Sequence, residues 1–136
     1  MVASAKLGME FVAATPAEYR PADEAVRFAH GAGGEVELTT DPRAAAEGAD
    51  VLYTDVWTSM GQEEERERRL RDLRGYGIDD DLLARADDNA IVLHCLPAHY
   101  EEEITEEILY GPQSAVWDQA ENRLHAQKAL IALVIR

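Results

Sequence analysis

The sequence predicts an α/β fold, a doubly wound and mostly parallel β-sheet with flanking helices. Short apolar runs, some rich in β-branched residues, alternate with helical stretches along the 136 residues, which is typical of a buried parallel sheet. Pro, Gly, Asp or Asn bound these runs, and such residues commonly end strands. Hydrophobic residues make up 46% of the chain and charged residues 29%, a composition that indicates a folded domain.

The elements are predicted from the positions of these runs. The predicted strands are Phe11–Thr15, Val36–Thr40, Val51–Trp57, Ala90–Leu96 and the short run Ala115–Trp117. The predicted helices are the end of one at Met1–Gly8, then Pro21–His30, Pro42–Glu47, Glu63–Arg74 and a last helix from Asp118. Gly31 and Gly48 are expected to end the second and third helices. Asp118 and Glu121 have the spacing of a capping box, which predicts where the last helix begins.

Two of the predicted helices have a recognisable face. In Glu63–Arg74, glutamates lie four residues before arginines, as in Glu65 and Arg69, and each such pair stabilises a helix by about 0.2–0.5 kcal/mol. In the last helix Leu124 and Ile131 lie on one face with Ile135. The helix Glu63–Arg74 is therefore expected to be charged and solvated, and the last helix is expected to carry an apolar stripe.

The beginning of the sequence is unusual for this fold class. An α/β domain normally opens with a strand, whereas here the end of a helix at Met1–Gly8 precedes the first predicted strand. We therefore expect the opening strand of the fold to be missing from this sequence. That strand usually lies at the centre of a doubly wound sheet, so its neighbours would keep unpaired backbone groups. No repeat or linker interrupts the chain, and one domain over residues 1–136 is predicted.

Composition excludes several classes of partner and location. The chain has 13 Lys and Arg against 27 Asp and Glu, a net charge of −14. Nucleic acid and anionic membranes are therefore not expected partners. The acidity fits either an ordinary acidic surface or a high-salt habitat. Cys95 is the single cysteine, which rules out an internal disulfide and predicts a cytoplasmic location. No signal peptide or membrane span is predicted.

The first candidate site is the segment Asp55–Gln62, at the carboxyl end of the third predicted strand. Open α/β sheets bind ligands at this end of their strands. Asp55 can pair with a cationic amine, while Ser59 and the backbone amides of a glycine-containing turn can bind a carboxylate. These groups suit a zwitterionic amino acid. A structural role is also possible, because Ser59 and Gln62 fit a helix cap and Asp55 can anchor its own loop.

The second candidate site, His94–Pro97, ends the fourth predicted strand and so lies at the same sheet edge. Cys95 could be a nucleophile, a proton-transfer group or a polar contact, and His94 could lower its pKa. Alternatively, Cys95 is a small buried hydrophobic residue. His94, Cys95 and His99 are potential zinc ligands, but they lack the number and spacing of a structural zinc site, so no metal is expected.

The third candidate is Arg123, which is predicted to lie in the first turn of the last helix, where the positive end of the helix favours anions. It could bind a phosphate or a carbonyl oxygen, or it could pair with a carboxylate such as Glu121. Glycine-rich phosphate loops, G-x-S-x-G and H-E-x-x-H are absent from the sequence. The common nucleotide, hydrolase and metalloprotease sites are therefore not expected.

Three segments, Asp55–Gln62, His94–Pro97 and Gly111–Lys128, together resemble the ornithine carbamoyltransferase family in order and separation. The likeness extends over nearly the whole chain, from Ala5–Met9 and Ala13–Pro16 onward. It implies a Rossmann-like, ornithine-binding domain. The implied reaction transfers the carbamoyl group of carbamoyl phosphate to the side-chain amine of L-ornithine, giving L-citrulline and phosphate. No metal and no organic cofactor are implied.

The resemblance also implies how ornithine is held. Asp55 and Ser59 match family residues whose side chains hold the amino and carboxylate groups of ornithine, and Met60 matches a position of backbone contact. The turn Ser59-Met60-Gly61 favours ornithine over putrescine or aspartate as the acceptor.

The remaining implied roles concern the reacting groups. Cys95 matches a residue beside the reacting amine, and the backbone of Cys95 and Leu96 lies near the carbamoyl group. Arg123 matches a residue that binds and polarises carbamoyl phosphate, whose developing oxyanion a positive group stabilises. His94 and Pro97 are expected to shape this loop.

The sequence departs from the family by what it lacks. The Ser-Thr-Arg-Thr phosphate motif, the rest of the carbamoyl phosphate domain and a Gly-Asp-Gly-Asn-Asn-like strand end with its ornithine-contacting asparagine are absent. The expected protein is therefore a fragment that is inactive alone, completed by the missing domain or a partner chain. The family forms trimers, so a homotrimer is expected when complete. The alternatives are a non-catalytic amino-acid-binding or interaction module, or one chain of a split transcarbamoylase.

Overall fold

The computed structural model describes residues 1–58, 61 and 63–135. They form two compact units, Met1–Glu47 and Gly48–Arg136. Each unit has one two-stranded sheet whose strands are parallel and are joined through helices. The predicted α/β fold class is thereby confirmed. Among the described residues, no helix has both the length and the apolar character that crossing a membrane requires.

The first unit contains strands β1 (Phe11–Ala14) and β2 (Val36–Thr39). Its helices are α1 (Val2–Leu7), α2 (Asp23–Gly31) and α3 (Pro42–Ala46), with a 3-10 turn at Ala17–Tyr19. Phe11 pairs with Val36 and Ala14 with Thr39. Helix α3 begins where proline and a capping side chain predict, because the Asp41 carboxylate accepts the backbone N–H of Arg43 at 2.9 Å.

Helices α1 and α2 approach closely through small residues. Ala5 of α1 and Ala29 of α2 are both buried. A Cβ atom on Gly34 would lie 2.3 Å from Ala5 Cβ, so only glycine fits at that position. Helix α2 includes Gly31, contrary to prediction, and the left-handed turn that follows it is made by Gly33, with φ of +81°.

The second unit contains strands β3 (Val51–Thr54) and β4 (Ile91–His94). A 3-10 turn at Glu63–Glu65 leads into α4 (Arg66–Asp72), followed by α5 (Asp80–Leu83), α6 (Glu106–Leu109) and α7 (Val116–Val134). The predicted pair of Glu65 and Arg69 is present, with Arg69 Nη2 3.1 Å from Glu65 Oε2. The buried apolar residues of this unit are Leu52, Leu73, Ile78, Leu82, Ala90, Val92, Ile104, Ile108, Leu109 and Val116.

The prediction of a fifth strand at Ala115–Trp117 is wrong. Ser114 forms only an isolated bridge with Val92. The residues after Ser114 belong to a helix, as the hydrogen bond from the N–H of Gln119 to the carbonyl of Ala115, 2.9 Å long, indicates. Helix formation therefore ends the extended segment after a single bridge.

Helix α7 begins two residues before the predicted Asp118, and no side chain caps it. Asp118 lies in its first turn, so the capping-box prediction is wrong. The sequence predicts an apolar face of three residues on this helix. These residues are exposed: Leu124 by 65%, Ile131 by 54% and Ile135 by 68%. Within the part of the chain that the structure describes, this face of α7 is uncovered.

Candidate functional site

The pairing of β3 with β4 brings the first two candidate segments together. Thr54, the last residue of β3, lies opposite His94, the last residue of β4. The next residue on each strand is therefore Asp55 on one side and Cys95 on the other. Two loops that are 40 residues apart in sequence thus meet at one carboxyl edge, as the parallel arrangement predicts.

Asp55 and Cys95 are in direct contact. The Cys95 thiol donates a hydrogen bond to Asp55 Oδ1 across 2.9 Å, and the same oxygen accepts the N–H of Val56 at 2.7 Å. Cys95 is exposed on one side, yet partial burial, followed by the hydrogen bond and the charge of Asp55, raises the pKa of its thiol to about 11. The thiol is therefore protonated near neutral pH, which disfavours a nucleophilic role.

His94 does not lower the pKa of Cys95, because both of its ring nitrogens are occupied elsewhere. Nδ1 accepts the backbone N–H of Leu96 at 2.8 Å. The ring proton is therefore on Nε2, which donates to Glu103 Oε1 at 3.2 Å. The side chains of His94 and Glu103 are both fully buried. His94 thus links the backbone of Leu96 to Glu103, and the loop-shaping role of His94 and Pro97 stays a prediction.

A metal site of His94, Cys95 and His99 does not form. Among the described residues, the group of potential metal ligands is His99, Glu102 and Glu103. Glu102 is already paired with Arg66, and Glu103 accepts hydrogen bonds from its neighbours. A cation at this place would have to compete with those partners.

A cavity of about 570 Å³ lies beside Cys95. Its lining residues are Cys95, Leu96, Pro97, Ala98, Tyr100, Leu109, Tyr110, Trp117, Ala120 and Arg123. Four of the predicted site residues therefore share one cavity. Asp55 reaches the cavity edge through its hydrogen bond to Cys95.

Arg123 lies two turns inside α7, because the helix begins at Val116. The prediction that it sits in the first turn is wrong, and the field of the helix end falls off before this position. The alternative pairing with Glu121 is also absent, since Glu121 contacts His125 instead, with 3.3 Å between Oε1 and Nε2. Among the described residues no carboxylate pairs with Arg123, and Arg123 lines the cavity.

Sequence patterns did not reveal several residues around the site. The Tyr53 hydroxyl accepts a hydrogen bond from Gln119 Nε2 at 2.9 Å, and it acts to lower the pKa of the Cys95 thiol. Tyr53 lies two residues before Asp55, on the same face of the strand, and Gln119 lies one helical turn before Arg123. These two spacings would have identified both residues.

An aromatic group forms another part of the cavity wall. Tyr110 and Trp117 stack with their ring centroids 5.6 Å apart, and the hydroxyls of Tyr100 and Tyr110 are 3.1 Å apart. No spacing rule relates these three residues in the sequence. Ser59 and Met60, which were also predicted to bind the substrate, lie outside the described residues.

Sequence comparison identifies relatives over the whole length of the chain. Residues 1–134 match the family described as aspartate/ornithine carbamoyltransferase, Asp/Orn binding domain. The ornithine carbamoyltransferase of Methanoculleus marisnigri is 59% identical over 135 residues, which cover 99% of this chain and 44% of that protein. The ornithine carbamoyltransferase of Synechocystis sp. is 54% identical over 95% of this chain and 43% of its own length. The chain therefore spans less than half the length of these relatives.

Solved structures agree with this assignment. The ornithine carbamoyltransferase of Pyrococcus furiosus superposes with a TM-score of 0.90 at 48% identity, over 98% of this chain and 44% of that chain. The Thermus thermophilus enzyme gives a TM-score of 0.85 at 43% identity, over 99% of this chain and 43% of that chain. A structure of N-acetyl-L-ornithine transcarbamylase gives 0.85 at 27% identity, over 98% and 42%. The chain belongs to the aspartate/ornithine carbamoyltransferase family, and it matches the Asp/Orn binding domain of that family.

Proposed function

We propose that this chain is the ornithine-binding half of an ornithine carbamoyltransferase, which converts L-ornithine and carbamoyl phosphate into L-citrulline and phosphate. The observation that carries the proposal is the hydrogen-bonded pair of Asp55 and Cys95 at the edge of a cavity that Arg123 also lines. We propose ornithine and not N-acetylornithine as the substrate, because the chain is 48% identical to the Pyrococcus ornithine carbamoyltransferase and 27% identical to the N-acetyl-L-ornithine transcarbamylase.

The amino acid would be held by groups of opposite charge. The Asp55 carboxylate pairs with an ammonium group of ornithine, and a charged hydrogen bond of this kind contributes about 1.5–3 kcal/mol. Ser59 and the backbone near Met60 bind the ornithine carboxylate. The placement of these last two residues stays a prediction, as does the extent of the domain over residues 1–136.

The chemistry requires a neutral amine next to a polarised carbonyl. The amine attacks the carbamoyl carbon and a C–N bond forms, while the C–O bond to phosphate breaks and its electron pair leaves with the phosphate. The phosphate also takes the proton that the amine loses. Arg123 stabilises the negative charge that develops on the carbamoyl oxygen. The Cys95 sulfur accepts an N–H of the amine, because its own proton is directed to Asp55, and so orients the nitrogen lone pair.

The whole reaction needs more than this chain. The curated relatives are more than twice its length, and we assign the phosphate-binding residues to the part that has no counterpart here. That part is a carbamoyl phosphate domain of the same polypeptide or a separate chain. The complete protein would be a homotrimer, and this chain alone would not turn over.

A citrulline assay tests the proposal. The chain is mixed with the carbamoyl phosphate domain of the Methanoculleus relative, and association of the two is checked by sedimentation. Citrulline is expected only when both are present. Arg123→Ala should lower the rate by about 10²–10³-fold, whereas Arg68→Ala, an exposed arginine of α4 outside the cavity lining, should leave it within twofold. An associated but inactive wild-type pair would contradict the proposed function.

A second candidate function is an amino-acid-binding module without catalysis. The coverage of 44% of the relative's length favours it, because such a chain keeps Asp55 and Cys95 and needs no phosphate site. Ornithine binding without citrulline formation in the associated mixture would select this alternative. Reading the DNA upstream of Met1 for an in-frame carbamoyl phosphate domain separates a fragment from a split enzyme.

A further inference from the structure

His94 and Glu103 form a buried pair, and neither residue lines the cavity. His94 is 1% exposed and Glu103 is 0% exposed. A fully buried carboxylate is costly unless it is hydrogen-bonded, and here Oε1 carries the hydrogen bonds while Oε2 has no partner among the described residues. Both side chains therefore need hydrogen-bond partners inside the protein. Those partners lie in the segment that follows β4.

One carboxylate oxygen organises the whole segment that follows β4. Glu103 Oε1 accepts the backbone N–H of His99 at 2.6 Å and the Nε2–H of His94 at 3.2 Å. His94 Nδ1 in turn accepts the N–H of Leu96 at 2.8 Å. Three points of the six-residue segment 94–99 are thus fixed, directly or through one ring, to a single side chain.

The segment needs this restraint because its backbone is not in a relaxed conformation. Leu96 has a φ of 58°, in the left-handed region that is unfavourable for a non-glycine residue. Leu96 and Cys95 both line the cavity. If the N–H of Leu96 were released, the backbone could relax and turn the Cys95 thiol away from Asp55.

We propose that Glu103 is a positioning residue for carbamoyl transfer, which holds Cys95 and Leu96 in place through His94 and the His99 amide. This inference rests on the proposed function for its catalytic meaning. The role requires a hydrogen-bond acceptor and not a negative charge. Glutamine keeps an amide oxygen in place of Oε1, while its NH2 takes the place of Oε2, which has no hydrogen-bond partner among the described residues. Glutamine should therefore preserve the restraint on segment 94–99.

The reactivity of Cys95 measures this positioning in the 136-residue chain itself. Cys95 is the single thiol, so the rate of its reaction with a chromogenic disulfide reports one site as a function of pH. Glu103→Ala should shift the pH profile downward and speed the reaction at about pH 8 by about tenfold or more, because the thiol leaves Asp55. Glu103→Gln should retain the wild-type profile. Glu102→Ala is the matched control, because Glu102 is next to Glu103 in the sequence but pairs with Arg66.

Two results would overturn the inference. One is a Glu103→Ala chain that is folded by circular dichroism and keeps the wild-type profile. The other is a Glu103→Gln chain with a shifted profile, which would mean that the charge is needed. If Glu103→Ala does not fold, a shifted profile of Glu103→Gln still overturns the inference.

The readout needs no turnover, so it can be separated from a failure of the proposed function. In the citrulline assay, Glu103→Ala should lower kcat by about 10²-fold, the cost expected for a reacting group misplaced by about 1 Å, and leave the KM for ornithine within a few-fold. If the wild-type mixture is inactive but the thiol profiles are as expected, the proposed enzyme activity is wrong. The positioning of Cys95 by Glu103 is then still supported.

Discussion

At the scale of single residues, the thiol of Cys95 is held in its protonated form by its surroundings. Partial burial and the carboxylate of Asp55, 2.9 Å away, both disfavour the thiolate. This arrangement differs from that of a nucleophilic cysteine, whose neighbours stabilise the thiolate. The protonated thiol of Cys95 can take part in hydrogen bonds but is a poor nucleophile.

The raised pKa of Cys95 predicts how stability depends on pH. The pKa rises from 9.0 to about 11 on folding, so the thiol contributes its full stability below about pH 9 and loses it as the pH rises toward 11, because the unfolded chain gives up its proton first. Urea unfolding at about pH 8 and about pH 10.5 should show a larger loss of stability for wild type than for Cys95→Ser. Equal losses in the two proteins would show that folding does not perturb the thiol.

The sequence predicted the site residues unevenly, for physical reasons. Asp55 and Cys95 could be predicted because each directly follows a strand, and parallel strands end at one edge. Arg123 was predicted in the wrong turn of α7, because no capping side chain marks where this helix begins. Glu103 was missed because its contacts depend on burial beside His94, and no local spacing in the sequence encodes that contact.

At the scale of elements, the packing of α1 on α2 depends on Gly34. Its added Cβ would lie 2.3 Å from Ala5 Cβ and 2.7 Å from Ala5 Cα, and the backbone atom cannot move aside without shifting α1. Gly34→Ala should therefore lower the free energy of unfolding by about 1–3 kcal/mol. The measurement is urea denaturation of the two proteins side by side.

Gly31→Ala is the matched control for this substitution. It lies in α2, and a Cβ there would meet no atom within 4 Å. Alanine is favoured over glycine in a helix by up to about 1 kcal/mol, so this variant should be as stable as wild type or more stable. If Gly34→Ala is equally harmless, the close contact between Ala5 of α1 and Gly34 is not present in solution.

The elements could be predicted from sequence where periodicity and turn residues agree. Four predicted strands are present, each shorter than predicted by one to three residues. Ala115–Trp117 failed because β-branched Val116 is also compatible with a helix once the chain has turned. Helices α5 and α6 have four residues each, too few for a periodic pattern, and depend on caps by Asp79 and Thr105.

At the scale of the whole molecule, both units leave apolar surface uncovered. Each sheet has two strands, and such sheets are marginally stable without further packing. Val12 of β1 and Val51 and Tyr53 of β3 are 41%, 44% and 57% exposed. Along α7, Leu130, Leu133 and Val134 are more than half exposed as well. This surface fits a chain that is completed by further packing.

The chain alone should therefore be marginally stable or should associate. Urea unfolding is expected to show a low midpoint or a broad transition, and sedimentation should show species larger than a 15.1 kDa monomer. A monomer that unfolds cooperatively with the usual stability of about 5–15 kcal/mol would contradict this expectation.

The most direct test of the account is ornithine binding to the chain, measured by calorimetry on wild type, Asp55→Asn and Asp88→Asn. Asp88 is an exposed aspartate just before β4, at the end opposite the site, so its substitution should leave the affinity unchanged. Asp55→Asn should weaken binding by about 10- to 100-fold, because it removes a charged hydrogen bond worth about 1.5–3 kcal/mol. Ornithine binding that is equally strong in all three proteins would contradict the assignment of an ornithine site to the joined ends of β3 and β4.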